Sequence, residues 1–218
     1  MKIFILLITL SCALRVSAQT VPATQPTQGL PGISVDAKLR QVRIESEFLN
    51  VLNPLEFLIC SAGGPEHETV LRAKIKPSHL HFALLAIGLT EGHPLTFNPK
   101  TRIVTKPDGP ALKLSVEFEK DGKLISLPAH RLMRDIRHKK EMPEQRWVFV
   151  GSRVMEDGSY AADATGYLIS VVNFELTVVD VAELASSDNQ LLEWEFNPDT
   201  VPAANTKATL VIEPAEGQ

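Results

Sequence analysis

Alternation between apolar and polar positions dominates the chain. Val42, Ile44, Ser46 and Phe48 share one face while Arg43, Glu45 and Glu47 take the other, the period-2 pattern of a half-buried strand. Asn53-Pro54 turns the chain into a second run over residues 55–60, which Gly63-Gly64-Pro65 ends. A third run begins at Thr69 and continues to Ile75. The clearest hairpin comes later: Leu112, Leu114, Val116 and Phe118 share a face, Asp121-Gly122 reverses the chain, and residues 124–127 return. A two-residue turn sets Phe118 opposite Ile125 and Val116 opposite Leu127, so apolar partners meet. Further strands are expected at residues 147–150, 167–174, 177–181 and 209–212.

One stretch changes period. Leu80, Ala83, Leu84 and Ile87 recur at helical spacing, Ser78 stands at a suitable N-cap and Gly88 at C′. Phe82, Leu85 and Leu89 fill most of the opposite side, which predicts a largely buried helix over residues 78–88. A weaker helix is expected over 187–194. Strands outnumber helices without alternating with them. The fold class is therefore α+β, a mostly antiparallel sheet with one well-marked buried helix.

The chain has 218 residues, 44% of them hydrophobic, enough for one core in one domain. Its N-terminus predicts export. Lys2 precedes an apolar run from Ile3 to Leu14, and Val16-Ser17-Ala18 offers a small-residue cleavage site. That run is too short for a bilayer, which needs about 20 residues, and no later stretch approaches membrane length. Residues 1–18 are thus expected to be a signal peptide, residues 19–32 a flexible tether rich in Pro, Thr and Gln, and residues 33–218 one globular domain. Cleavage near Ala18 removes Cys12 and leaves Cys60 with no intramolecular partner, inside an apolar run that suits a small buried thiol. A net charge of −4 argues against nucleic acid as a partner.

The chemistry concentrates between Cys60 and His81. His67-Glu68 opens like the zinc-protease pattern H-E-x-x-H, but Leu71 stands where the second His belongs. On a helix, His79 and His81 would lie about 200° apart and could not grip one ion. A tertiary arrangement remains: His67 meeting His81, with Glu66 or Glu68 orienting a ring, a set suited to a divalent transition metal or to acid–base work. Against it, such groups are commonly solvated or bonded to backbone. Gly63-Gly64 could form an anion-binding nest, though such loops mostly just turn. The basic run from Arg131 to Lys140 reads as a solvated face. Trp147 and Tyr160 read as packing residues. No phosphate loop, nucleophile elbow or paired Cys is present.

Two blocks carry a family likeness. Glu66-His67-Glu68-Thr69-Val70-Leu71, Lys76-Pro77-Ser78-His79-Leu80-His81 and Ala83-Leu84-Leu85 with Gly88 resemble the YdjY-domain family of exported bacterial proteins. Trp147-Val148-Phe149 with Gly151-Ser152, Tyr160-Ala161-Ala162-Asp163, and Leu168-Ile169-Ser170-Val171 before Asn173-Phe174 resemble its later half. The resemblance implies a secreted or periplasmic domain and no particular activity. Some relatives carry an iron–sulfur segment, which needs several Cys ligands, so no such cluster is expected here. The matching polar positions are His67, Glu68 and His81. The expected function is a non-catalytic exported module binding a small ligand, a polysaccharide or an envelope protein. The alternative is a metal protein or metal-dependent enzyme centred on His67, Glu68 and His81, with Glu66 and His79 nearby.

Overall fold

The computed structural model describes residues 29–188 and 190–215; the expected leader and the tether up to residue 28 lie outside them. The first half comprises β1 (Ile33–Asp36), β2 (Gln41–Phe48), β3 (Phe57–Ser61), β4 (Thr69–Ala73), α1 (Pro77–Ala86), β5 (Thr96–Asn98) and β6 (Ile103–Thr105). The second comprises β7 (Ala111–Lys120), β8 (Lys123–Pro128), β9 (Met133–Asp135), β10 (Trp147–Phe149), α2 (Ala161–Thr165), β11 (Tyr167–Ser170), β12 (Val179–Val181), β13 (Trp194–Phe196) and β14 (Lys207–Pro214).

The molecule is mostly β, and its main sheet closes. Strands follow the order β2-β14-β7-β10-β12-β11-β3-β4, and β4 returns to pair with β2, giving an eight-stranded barrel-like ring. All neighbours in the ring are antiparallel except β11 with β12 and β3 with β4. The sequence pattern anticipated a mostly antiparallel sheet but not its closure. Closure depends on strands that change neighbours along their length. The first half of β2 pairs with β1 and its last residues with β4, on the same side. In the same way Ala111 and Leu112 of β7 pair with β10, while Ser115 to Lys120 pair with β8.

Alternation then fills the interior. Val42, Ile44 and Phe48 of β2 meet Leu210 and Ile212 of β14 and Leu114, Val116 and Phe118 of β7 in one core. Phe48 and Phe118 pack edge to face at 5.2 Å. Along β10, Trp147 and Phe149 join this core while Val148 and Val150 pack outside with Ala182. The β7–β8 hairpin has the expected register, Phe118 with Ile125 and Val116 with Leu127. Its turn residues Asp121 and Gly122 both have positive φ, as a type I′ turn requires.

Several local expectations need correction. The helix begins at Pro77, so Lys76 is the N-cap and Ser78 lies inside the first turn. Gly88 does follow its end with φ +81°. Only Leu80, Ala83 and Leu84 of α1 enter the core, joined by Ile87 and Leu89 beyond it. Phe82 is 62% exposed and Leu85 39%, so the helix is buried on one face rather than all round. Residues 187–194 hold no helix among those described. There the Ser186 Oγ accepts from the Asp188 N–H and Asp188 accepts from the Gln190 N–H, local bonds that compete with helix. Trp194 is instead drawn into β13 against β9. No helix of the described residues is long and apolar enough to cross a membrane.

Candidate functional site

α1 carries His81 to the end of β10. Its Nδ1 lies 2.9 Å from the Tyr160 hydroxyl and 3.2 Å from the Gly151 carbonyl, and that hydroxyl donates to the same carbonyl at 2.9 Å. With the phenol proton committed to Gly151, Nδ1 is the donor to the Tyr160 oxygen. Nδ1 therefore carries a proton, and Nε2 faces the Glu91 carboxylate at 4.0 Å. Phe149 and Tyr160 meet the imidazole edge to face at 5.0 and 5.5 Å. Burial pushes the Tyr160 phenol above its ordinary range, so it stays protonated. Gly151 has φ +79°, and a Cβ there would fall 2.7 Å from the Glu91 Cβ. A second link ties α1 to α2: Asp163 accepts from the Ser78 N–H and from its hydroxyl, both at 2.7 Å.

Glu66, His67 and Glu68 stay together elsewhere. They form a 3₁₀ turn, in which Glu66 folds back to accept from the Gly63 N–H at 2.8 Å. The Gly63-Gly64 loop is thereby filled by the chain's own carboxylate. The Arg72 guanidinium, 2.7 Å from Glu66 and in contact with Glu47, also helps to hold the Glu66 carboxyl below its usual range. The His67 side chain is 70% exposed, its Nε2 3.6 Å from Glu68. Glu68 in turn meets Glu56, which is buried. Burial first, and the adjoining Glu68 second, push the Glu56 carboxyl up to about 7, so a proton is kept between the two acids. Cys60 beneath is fully buried, and burial raises its thiol to about 11, the setting of an inert Cys.

His67 and His81 therefore have separate partners, and His79 a third environment, its Nδ1 buried without a partner beside a shallow cavity lined by Lys74 and Lys76. Among the described residues no three His, Cys, Asp or Glu side chains are arranged to hold one metal ion. The basic run is largely committed: Arg131 pairs with Glu141, Arg134 and Lys139 with Glu195, and His138 with Asp135.

A groove of about 930 Å³ lies where β7 changes neighbours. Between the β10 and β8 pairings, Lys113 and Leu114 have no strand opposite them on that side among the described residues. The groove reaches the core there through Leu112, Leu114 and Trp147. Trp147 is only 2% exposed, and its indole N–H has no hydrogen-bond partner. An unpaired buried donor costs about 1–3 kcal/mol, so a group this well buried without an acceptor is a signal. Around it, Lys113, His130, Glu144 and Arg146 line the groove with no side-chain hydrogen bond or ion pair among the described residues. Glu117 is paired with Arg43 at 2.5 Å, whereas Glu213 accepts from the Gln41 amide at 2.9 Å and keeps its charge.

Sequence reasoning missed Tyr160, Gly151, Glu91 and Asp163 around His81, and Glu56 and Trp147 elsewhere. Glu91 and Glu56 carry no pattern at all. The others lay inside the blocks that carry the family likeness, and that clustering was the usable signal. A family model described as the YdjY domain matches residues 33–213. No curated protein and no solved structure matches the chain.

Proposed function

The chain belongs to the YdjY domain family, and from that premise we propose that it is a non-catalytic exported module whose ligand lies in the groove between β8 and β10. One observation carries this: the buried, unpartnered indole N–H of Trp147 beside a concavity in which Lys113, His130, Glu144 and Arg146 make no side-chain hydrogen bond or ion pair among the described residues. The N-terminal pattern of Lys2, an apolar run and Val16-Ser17-Ala18 supports export.

A second reading, binding of a divalent transition metal, is favoured by the setting of His81. A ring held at Nδ1 by a carbonyl presents Nε2 as a ligand atom, and Glu91 is the carboxylate beside it. On this reading the partner of His81 is Glu91 rather than His67 or Glu68.

Amide and indole NMR of the protein separates the two. A screen of saccharides, short peptides and carboxylates should move Lys113, Leu114 and the Trp147 indole signal. Zinc that shifts His81 and Glu91 at micromolar concentration, with no compound moving the groove, would replace the first reading by the second.

A further inference from the structure

We propose that the β5–β6 hairpin docks on an anionic phospholipid surface, with Lys100 and Arg102 on the headgroup phosphates and Phe97, Ile103 and Val104 sunk to the acyl boundary. This goes beyond the groove and does not depend on it.

The hairpin stands apart from the barrel. β5 and β6 pair only with each other, and none of their six residues is buried. Phe97 is 51% exposed, Ile103 59% and Val104 47%, and none of the three packs against either hydrophobic core. An isolated two-stranded hairpin is marginally stable in water, so this one adds little to the stability of the domain. It is anchored at its root. There His93 and Asp108 exchange backbone hydrogen bonds at 2.8 and 3.0 Å, and the Gly92 N–H donates to the Phe149 carbonyl at 2.9 Å. Single exposed apolar residues such as Leu52 and Leu124 are ordinary surface, but three on one projecting element mark a contact.

Charge singles out the same element. Residues 94–107 contain Lys100, Arg102 and Lys106 and no acid, in a chain whose net charge is −4. Lys106 is paired with Glu183 at 2.7 Å. Lys100 and Arg102, in the loop at the tip, make no ion pair among the described residues. The acids that flank the hairpin in sequence, Glu91 and Asp108, lie at its root. Along the strand Asp108 is about 20 Å from Arg102. Salt screens exposed charges over about 8 Å, so these acids do not cancel the positive charge of the tip.

The placing of the apolar side chains decides between occupants. Opposite residues of an antiparallel pair share a face, and neighbours along a strand alternate. Phe97 is opposite Val104 and Asn98 opposite Ile103. Phe97 and Val104 thus lie on one face of the hairpin and Ile103 on the other. A flat protein surface, or a second copy, would cover one face and leave the other in water. A lipid interface surrounds whatever sinks into it, and the long Lys and Arg side chains beside the apolar residues can reach back to the phosphates.

The test is sedimentation of the expected mature protein, residues 19–218, with vesicles of phosphatidylcholine alone or mixed with phosphatidylglycerol. Leaving out residues 1–18 keeps their apolar run from binding lipid itself. The protein should sediment with the mixed vesicles, and less so as salt rises. Lys100→Gln together with Arg102→Gln should weaken binding by roughly tenfold or more, the scale of two cations at an anionic surface. Phe97→Ser should weaken it by roughly tenfold. All three positions are exposed, so the variants keep the fold, which unchanged thermal melts verify. Equal binding to both kinds of vesicle, binding to neither, or variants that bind like the parent would overturn the proposal. Polyglutamate bound as tightly as the mixed vesicles, with Phe97→Ser having no effect, would assign the tip to an acidic protein instead. Self-association of the lipid-free protein that Phe97→Ser abolishes would assign the hairpin to a second copy of the chain.

Discussion

The ring of His81 is held at one nitrogen by Tyr160 and Gly151, whereas that of His67 is 70% exposed and touches only the Glu68 carboxylate at 3.6 Å. Both belong to one stretch of chain and to one family-like block. They differ in what the fold brings to them. His81 rides on a helix whose Leu80 and Leu84 are fixed in the core, so its ring is delivered to the end of β10 with defined partners. His67 sits on a one-turn 3₁₀ segment with no buried residue, and its neighbours use their charges on Arg72, Gly63 and Glu56 instead. A histidine acquires a chemical setting from the element that carries it more than from the residues beside it in sequence.

The largest effect should come from the helix itself. Leu84→Ala removes a fully buried side chain and should lower stability by about 2–5 kcal/mol in denaturant melts. His79→Ala, from the same helix but partly exposed, should cost under about 1 kcal/mol. Equal losses would mean that the core face of α1 does not position His81.

How far these arrangements could be read from sequence follows from the range of the forces involved. The strands of β2 and the β7–β8 hairpin were legible, register included, because alternation and an Asp-Gly turn are local signals. The closing of the ring was not, since it depends on β2 and β7 switching partners along their length, and only β4, β10 and the strands between them determine that. The burial of α1 was overestimated for a related reason. Apolar residues on two faces do not say that the barrel covers only one, which leaves Phe82 and Leu85 outside. At the candidate site, His81 was legible and its partners were not. Tyr160, at the start of α2, reaches His81 from far along the chain, and Asp163 of α2 holds Ser78.

Removing each ring in turn sharpens the contrast between the two histidines. His81→Ala leaves the Tyr160 oxygen without its donor in a site where the imidazole is only 18% exposed. The expected cost is about 1–3 kcal/mol, the penalty for an unpaired, largely buried polar group with the loss of its ring packing. His67→Ala should stay within about 0.5 kcal/mol, as for surface positions without a fixed partner. Thermal melts on both variants make the comparison, and a loss at His67 as large as that at His81 would break it.

The smallest effect is one of pH, and it belongs to the His67 turn. Its exposed histidine sits over a buried acid, because Glu56 is pushed up to about 7 by burial and by Glu68. An unfolded glutamate titrates near 4.5, so between those values the native state holds a proton that the unfolded state has released. The native state is then the one binding more protons, and stability must fall as pH rises through this window. The contribution is fully present below about 4.5 and lost above about 7. Two and a half units would be worth about 3 kcal/mol in a sealed site, and solvent screening reduces this to on the order of 1–2 kcal/mol. Asp180, also raised to about 7 by burial, adds a slope of the same sign, so the wild-type curve alone does not isolate Glu56. Glu56→Gln does. Its amide donates to Glu68 at every pH, as the protonated acid does only when the pH is low, while Asp180 titrates alike in both proteins. Urea melts at steps from pH 4.5 to pH 8 should therefore show the two proteins close together at the acid end and the variant the more stable by the full amount at the alkaline end. Parallel curves would mean that Glu56 and Glu68 share no proton, and the turn would then be as open beneath His67 as it is above it.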